Sequence, residues 1–253
     1  MTPDPLTPTP IGAAPAAPPR PSTAAAVEDR TTGMDVPALL WVAMAIVGLA
    51  VFAAFTVLLL NRTTFPFDHS ILAAVRPWVG DGTIWRVLSE SANIPLIIIG
   101  VGMVLVLFFT RRRREAVLVA IALIAITAGS EGIKQLVARP RPEGTDPNIP
   151  GVVYSFPSGH VLEALTIFGI IAIHVVRSRA PRWLAGLVVV LVIVDVALVG
   201  LSRIVLNAHW PSDAIASAFA AAGVLGIYGL LTHGHAWATK RSEQHHDDHA
   251  ATA

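Results

Sequence analysis

The sequence predicts an all-α membrane protein: a bundle of six transmembrane helices with short interfacial helices in its first extracytoplasmic connection. Three observations lead there. Hydrophobic residues make up 54% of the 253 and charged residues only 14%, the mean hydropathy is +0.64, and six apolar runs of membrane-crossing length follow one another. Such shares lie outside the usual range of soluble domains. The 18 cations and 17 anions nearly cancel, so no basic field supports a nucleic-acid partner. The chain has no cysteine, which removes disulfide scaffolds, thiolate metal sites and cysteine nucleophiles.

In chain order, residues 1–35 carry eight prolines by Pro21, interleaved with Thr and Ala, a composition that cannot build a packed core. They read as a disordered leader. The first span, 36–60, runs for 25 residues without a charge, about 37 Å as a helix against a hydrocarbon core of about 30 Å. Further spans are expected at 94–110, 116–134, 160–176, 183–201 and 212–232, the second short and the third carrying Glu131 near its end. The connection 61–93 has helical spacing of apolar residues around Trp78 and Trp85, which predicts short helices lying at the interface. A polar, His-rich tail occupies 233–253.

Loop charge predicts the orientation. Arg111, Arg112, Arg113 and Arg114 follow span two, and Arg177, Arg179 and Arg182 follow span four. Those loops, and with six spans both termini, are expected on the cytoplasmic side. The other connections still hold Arg62, Arg76, Arg86, Lys134, Arg139, Arg141 and Arg203, a count that contradicts the rule unless function keeps some of these cations there.

Three outward connections carry residues suited to phosphate chemistry. KQLVARPRP places Lys134 seven positions before Arg141, PSGH opens span four with Ser158, Gly159 and His160, and SRIVLNAHWPSD supplies Ser202, Arg203, His209 and Asp213. Lys134, Arg141 and Arg203 can surround the charge of a phosphoryl group, the arginines with paired donors. Ser158 and Gly159 stand where a helix begins and its unpaired N–H groups form an anion site. Of two histidines, one can attack phosphorus and one can protonate the departing oxygen. Asp213, four residues beyond His209, can accept the other ring N–H and fix the attacking tautomer. Glu163, one turn beyond His160, is expected to orient or tune it, and Asp195 to make a polar contact between spans.

Taken singly, PSGH is a serine-capped helix start and Lys134 and Arg141 are snorkelling interfacial cations. Together and in this order, KxxxxxxRP, PSGH and SRxxxxxHxxxD resemble the three signatures of the type 2 phosphatidic acid phosphatase superfamily, integral-membrane lipid phosphatases related to bacterial acid phosphatases and vanadium haloperoxidases. Every signature position is filled. The resemblance implies that 36–232 is a six-span phosphatase domain acting on a lipid phosphate or an isoprenoid diphosphate at the extracytoplasmic face. It further implies that His209 forms a phosphohistidine with Asp213 as its partner, and that His160 is the general acid. Lys134, Arg141, Ser158, Gly159 and Arg203 would then hold the phosphate, without a metal or other cofactor. Two rivals stay open at this point: phosphoryl transfer to an alcohol or sugar, and a transporter or flippase that binds phosphorylated lipid without cleaving it.

Overall fold

The computed structural model describes residues 36–145 and 154–250, with 91 and 233–250 described by their backbone alone. Eight α-helices account for nearly all of it. α1 (Ala38–Leu60), α4 (Ile94–Phe109), α5 (Arg113–Val137), α6 (Gly159–Arg177), α7 (Arg182–Val205) and α8 (Pro211–Ala250) are the long ones; α2 (Pro66–Val75) and α3 (Thr83–Ser91) are short, with a 3₁₀ turn at Arg76–Trp78 between them. Six stretches are long and apolar enough to cross a membrane: Ala38–Leu60, Thr83–Phe109, Arg113–Val137, Gly159–Arg177, Arg182–Val205 and Pro211–Thr232. Their large outward side chains, such as Ile46, Ile98, Phe109 and Ile193, are exposed, as lipid-facing residues of a multi-pass membrane protein are.

The six expected spans are present with shifted ends. The short second span gains length because α3 leads almost directly into α4, a break at Ala92 and Asn93 separating them. The third begins three residues early, where Arg112 grips Glu115 with two hydrogen bonds of 2.9 and 2.7 Å across the first turn. α8 continues through residue 250, so the polar tail up to that point is backbone-helical. The leader expected to be disordered lies outside the described residues. The connection 61–93 does form the expected short helices, α2 and α3, but α3 belongs to the second apolar stretch, and a 2.7 Å bond from Trp85 Nε1 to the Trp78 carbonyl ties it to the 3₁₀ turn.

α6 and α8 are the most buried spans, and they carry PSGH and Asp213 on their first turns. α1 lies along α8 at very close range. A Cβ at Gly226 would stand 2.4 Å from the Ala45 nitrogen, and one at Gly48 2.5 Å from the Gly223 nitrogen, so only glycine permits this approach. At the end of the bundle where α5 stops, Ala138 in the left-handed region turns the chain away from the helix axis. The strand-like segment 139–142 then pairs with 154–155 through the Pro140–Tyr154 bridge and a 2.9 Å bond from the Ser155 N–H to the Arg139 carbonyl. Phe156, fully buried, stacks on Phe52 at 5.6 Å and anchors the segment that leads into α6. Asp195 does not make the polar contact expected of it: its Oδ2 is buried with no hydrogen-bond partner among the described residues.

Candidate functional site

The three motifs meet at one end of the bundle. α5 delivers Lys134 on its last turn, the turn after it delivers Arg141, α6 begins with Gly159 and His160, α7 ends with Arg203, and His209 and Asp213 straddle the start of α8. His160 lies within electrostatic reach of Arg203, His209, Lys134 and Arg141; His209 lies within reach of Arg203, Arg141 and Asp213. Lys134 Nζ sits 4.0 Å from the position a Cβ on Gly159 would take, which sets the amine beside the start of α6.

His209 is buried, and its Nδ1 is 2.6 Å from the Ser155 carbonyl. A carbonyl only accepts, so Nδ1 carries the proton and Nε2 keeps its lone pair. The tautomer that a nucleophile needs is therefore fixed by a backbone oxygen. The expected partner, Asp213, stands farther off: its Oδ2 is 3.7 Å from Nδ1 and instead accepts the Trp210 N–H at 3.0 Å. Asp213 remains beside the ring as its carboxylate neighbour. Burial is the largest influence on the imidazole and holds its pKa below the ordinary value of 6.5, Asp213 opposing and Arg203 and Arg141 adding to it. Burial also lowers the pKa of Arg141, with Asp213 opposing; a guanidinium keeps its charge regardless.

The anion-binding half differs in detail from the expectation. The Ser158 N–H is taken by Ser217 Oγ at 2.8 Å, and Ser217 in turn donates to the Asp213 carbonyl at 2.7 Å. What remains at the start of α6 are the N–H groups of Gly159, His160 and Val161, which a first helical turn leaves outside the intrahelical ladder. Ser158 Oγ and Arg203 Nε are both buried without a hydrogen-bond partner among the described residues, and orphaned donors of this kind are rare except where a ligand or water satisfies them. Arg203 Nη1 is held by Ser89 Oγ of α3 at 2.5 Å, and Arg141 Nη1 donates to the Ala208 carbonyl at 3.3 Å. Lys134 pairs with Glu131 one turn earlier at 2.5 Å. Glu163 makes no hydrogen bond with His160; it lies within electrostatic reach of Lys134 and Glu131. Among the described residues no group of three His, Asp or Glu could hold a metal ion.

Several residues around His209 escaped the sequence reading. Arg139 donates to Asp213 Oδ1 at 2.5 Å, to Ser212 Oγ at 2.7 Å and to Asp68 Oδ2 at 2.7 Å. Asp68, almost fully buried in the first turn of α2, also accepts the Ser212 N–H at 2.8 Å and its hydroxyl at 2.6 Å. The Arg139 guanidinium lies 5.2 Å from the ring centre of Trp210. One arginine thus joins two buried carboxylates behind His209. Asp68 shows one sequence signal, an acid in the first turn after Pro66, which reads equally as an ordinary dipole partner. Ser155 acts through its backbone and has none.

A family model described as the PAP2 superfamily matches residues 115–237, which include all three motifs. Phosphatidylglycerophosphatase B of Bacillus subtilis (strain 168) is 30% identical over 151 residues, covering 55% of this chain and 68% of that protein. The crystal structure of the first transmembrane PAP2 type phosphatidylglycerolphosphate phosphatase from Bacillus subtilis superposes with a TM-score of 0.58 at 22% identity, over 72% of this chain and 94% of the other. At that identity the superposition speaks for the shared fold.

Proposed function

From the premise that the chain belongs to the PAP2 superfamily and is a membrane lipid phosphatase, we propose that it hydrolyses a lipid phosphate or lipid diphosphate at the extracytoplasmic face, through a phosphohistidine on His209. The observation that carries the mechanism is the 2.6 Å contact of His209 Nδ1 with the Ser155 carbonyl, which leaves Nε2 unprotonated beside the cationic cluster. The phosphoryl group is held by Lys134, Arg141 and Arg203, the Ser158 hydroxyl and the first N–H groups of α6. Nε2 of His209 forms a bond to phosphorus as the bond to the leaving lipid oxygen breaks, and His160 gives that oxygen a proton. Water then attacks the phosphohistidine with His160 taking its proton, and inorganic phosphate leaves. Asp213 stabilises the charge that grows on the His209 ring, and Arg139 and Asp68 hold Asp213 in place. Charge neutralisation rests on fixed cations in a partly desolvated site, where they count for more than in water.

The supports for sidedness are the arginines at the opposite end, Arg111 to Arg114 and Arg177 to Arg182, which favour the cytoplasm. The test is phosphate release in detergent. Wild-type enzyme is expected to release phosphate in the presence of EDTA, and His209→Ala and His160→Ala to lose at least about a thousandfold in kcat/KM. Loss of wild-type activity with chelator would overturn the metal-free mechanism, and label passed to an added alcohol in place of water would make it a transferase. Because the chain has no cysteine, single cysteines at Glu143 and at Ser178 report sidedness. An impermeant thiol reagent on intact cells should label the first and spare the second.

A further inference from the structure

Arg203, one of the groups proposed to hold phosphate, takes its aim from outside the three motifs. Its Nη1 donates to Ser89 Oγ at 2.5 Å, and Ser89 belongs to α3, ahead of the stretch 115–237 that the family model matches. Both side chains are buried. The serine is turned off its own helix. A serine or threonine within a helix commonly bonds back to a carbonyl three or four residues earlier, as Thr166, Ser202 and Ser217 do. Ser89 Oγ instead serves a guanidinium 114 residues later in the chain.

The end of α3 is held against the face of α7 that carries this arginine. Ala92, Leu96 and Val199 pack in one buried cluster, and Val199 stands one turn before Arg203. Glu90, next to Ser89, lies within electrostatic reach of Arg203 and accepts from Asn93 Nδ2 at 3.1 Å, at the break that joins α3 to α4. Which nitrogen is held decides what is left. A guanidinium is a planar, fixed fork of donors. Nη1 lies on the Cδ side, so Nε–H and Nη2–H point the same way and form an edge that meets two oxygens of one phosphate. By taking Nη1, Ser89 leaves that edge whole, and Nε is buried with no acceptor among the described residues. Without the serine, the plane is free to turn about the Cδ–Nε bond.

We propose that Ser89 is a positioning residue for the phosphatase reaction: it fixes the plane of Arg203 so that the Nε–Nη2 edge faces the phosphoryl group. The second span thereby serves a site whose motifs all lie on later helices. The proposal rests on the phosphatase reading and on the holding role of Arg203, and it fails separately from both.

The experiment measures kcat/KM for a lipid monophosphate in neutral detergent, inhibition by inorganic phosphate, and the thermal unfolding midpoint. Full-length wild type is compared with Ser89→Ala, Ser89→Thr, Arg203→Lys and the double variant of Ser89→Ala with Arg203→Lys. Ser89→Ala removes a hydrogen bond to a charged group, and is expected to lower kcat/KM by about tenfold or more and to weaken phosphate inhibition in step. Ser89→Thr keeps the hydroxyl and should stay within about threefold of wild type. Lysine keeps the charge but has no such edge, so adding Ser89→Ala to Arg203→Lys should cost less than about twofold more. A loss under about threefold in Ser89→Ala, or an equal loss in the lysine background, overturns the proposal. If alanine or threonine at 89 lowers the unfolding midpoint, Ser89→Cys, close to serine in size and a weak acceptor, carries the comparison: a loss like that expected of alanine supports the proposal, and turnover like wild type overturns it. Wild type that releases no phosphate refutes the phosphatase reading instead, and Arg203→Lys with unchanged kcat/KM refutes the holding role of Arg203.

Discussion

The two ends of the bundle use arginine in opposite ways. At the end away from the site, Arg112 spends its donors on Glu115, and Arg177 donates to Thr232 at 2.5 Å and the Gly229 carbonyl at 2.9 Å while lying 5.1 Å from the Trp41 ring. His174 completes that cluster, 2.9 Å from the Tyr228 hydroxyl and 3.5 Å from Glu115. At the site end, Arg139 is treated the same way by Asp68, Ser212 and Asp213. Arg203 is not: one nitrogen meets Ser89 and its buried Nε meets no protein acceptor among the described residues. A cation saturated by protein acceptors fixes structure, and one whose buried donors are left over is placed for a ligand.

That contrast can be broken by exchanging the roles. Arg139→Met should have the largest effect: it strands two buried carboxylates, costing about 3–5 kcal/mol of stability, and releases Asp213, lowering kcat by about a hundredfold in whatever enzyme folds. Arg177→Gln at the other end should lower the unfolding midpoint and leave kcat/KM unchanged; a matching loss of activity would show that the two ends do not differ in the way described.

A pH profile sharpens the same comparison. The attack proposed for His209 needs a neutral ring, and burial depresses its pKa, so its protonation should cut kcat/KM only at pH values below 6.5, as pH falls through the depressed value. Asp213→Asn removes the influence that opposes burial. It should lower the plateau by about 10²-fold and move the acid limb to still lower pH. An acid limb that moves upward would refute the charge role given to Asp213. Smallest of all, Glu131→Gln frees Lys134 from an exposed ion pair worth about 0.2–1 kcal/mol, which should lower KM by no more than about fivefold.

Much of this was legible in the sequence because membrane spans and signature motifs are both local patterns. The six spans follow from uninterrupted apolar runs, and the residues proposed to hold phosphate were picked out by fixed spacings. The helix ends were less legible, since Arg113 and Arg114 read as loop charges until the Arg112–Glu115 pair draws them into α5. One neighbour of His209 was not legible, for a physical reason. Spacing of i to i+4 brings Asp213 near the ring, but the closer acceptor is a backbone carbonyl 54 residues earlier in the chain, and a carbonyl leaves no mark on residue type. Arg139 was hidden by its neighbours: two residues from Arg141, it reads as one more interfacial cation until α2 brings Asp68 against it.

The central claim is a covalent bond between phosphorus and one imidazole nitrogen. Rapid quench of wild-type enzyme with lipid labelled in the scissile phosphate tests it directly. The expected result is a protein-bound phosphate that is stable in alkali, lost in acid, located by peptide mapping at residue 209, and enriched when His160→Ala slows its hydrolysis. Rapid turnover with no protein-bound label in either enzyme, or label on another residue, would contradict it.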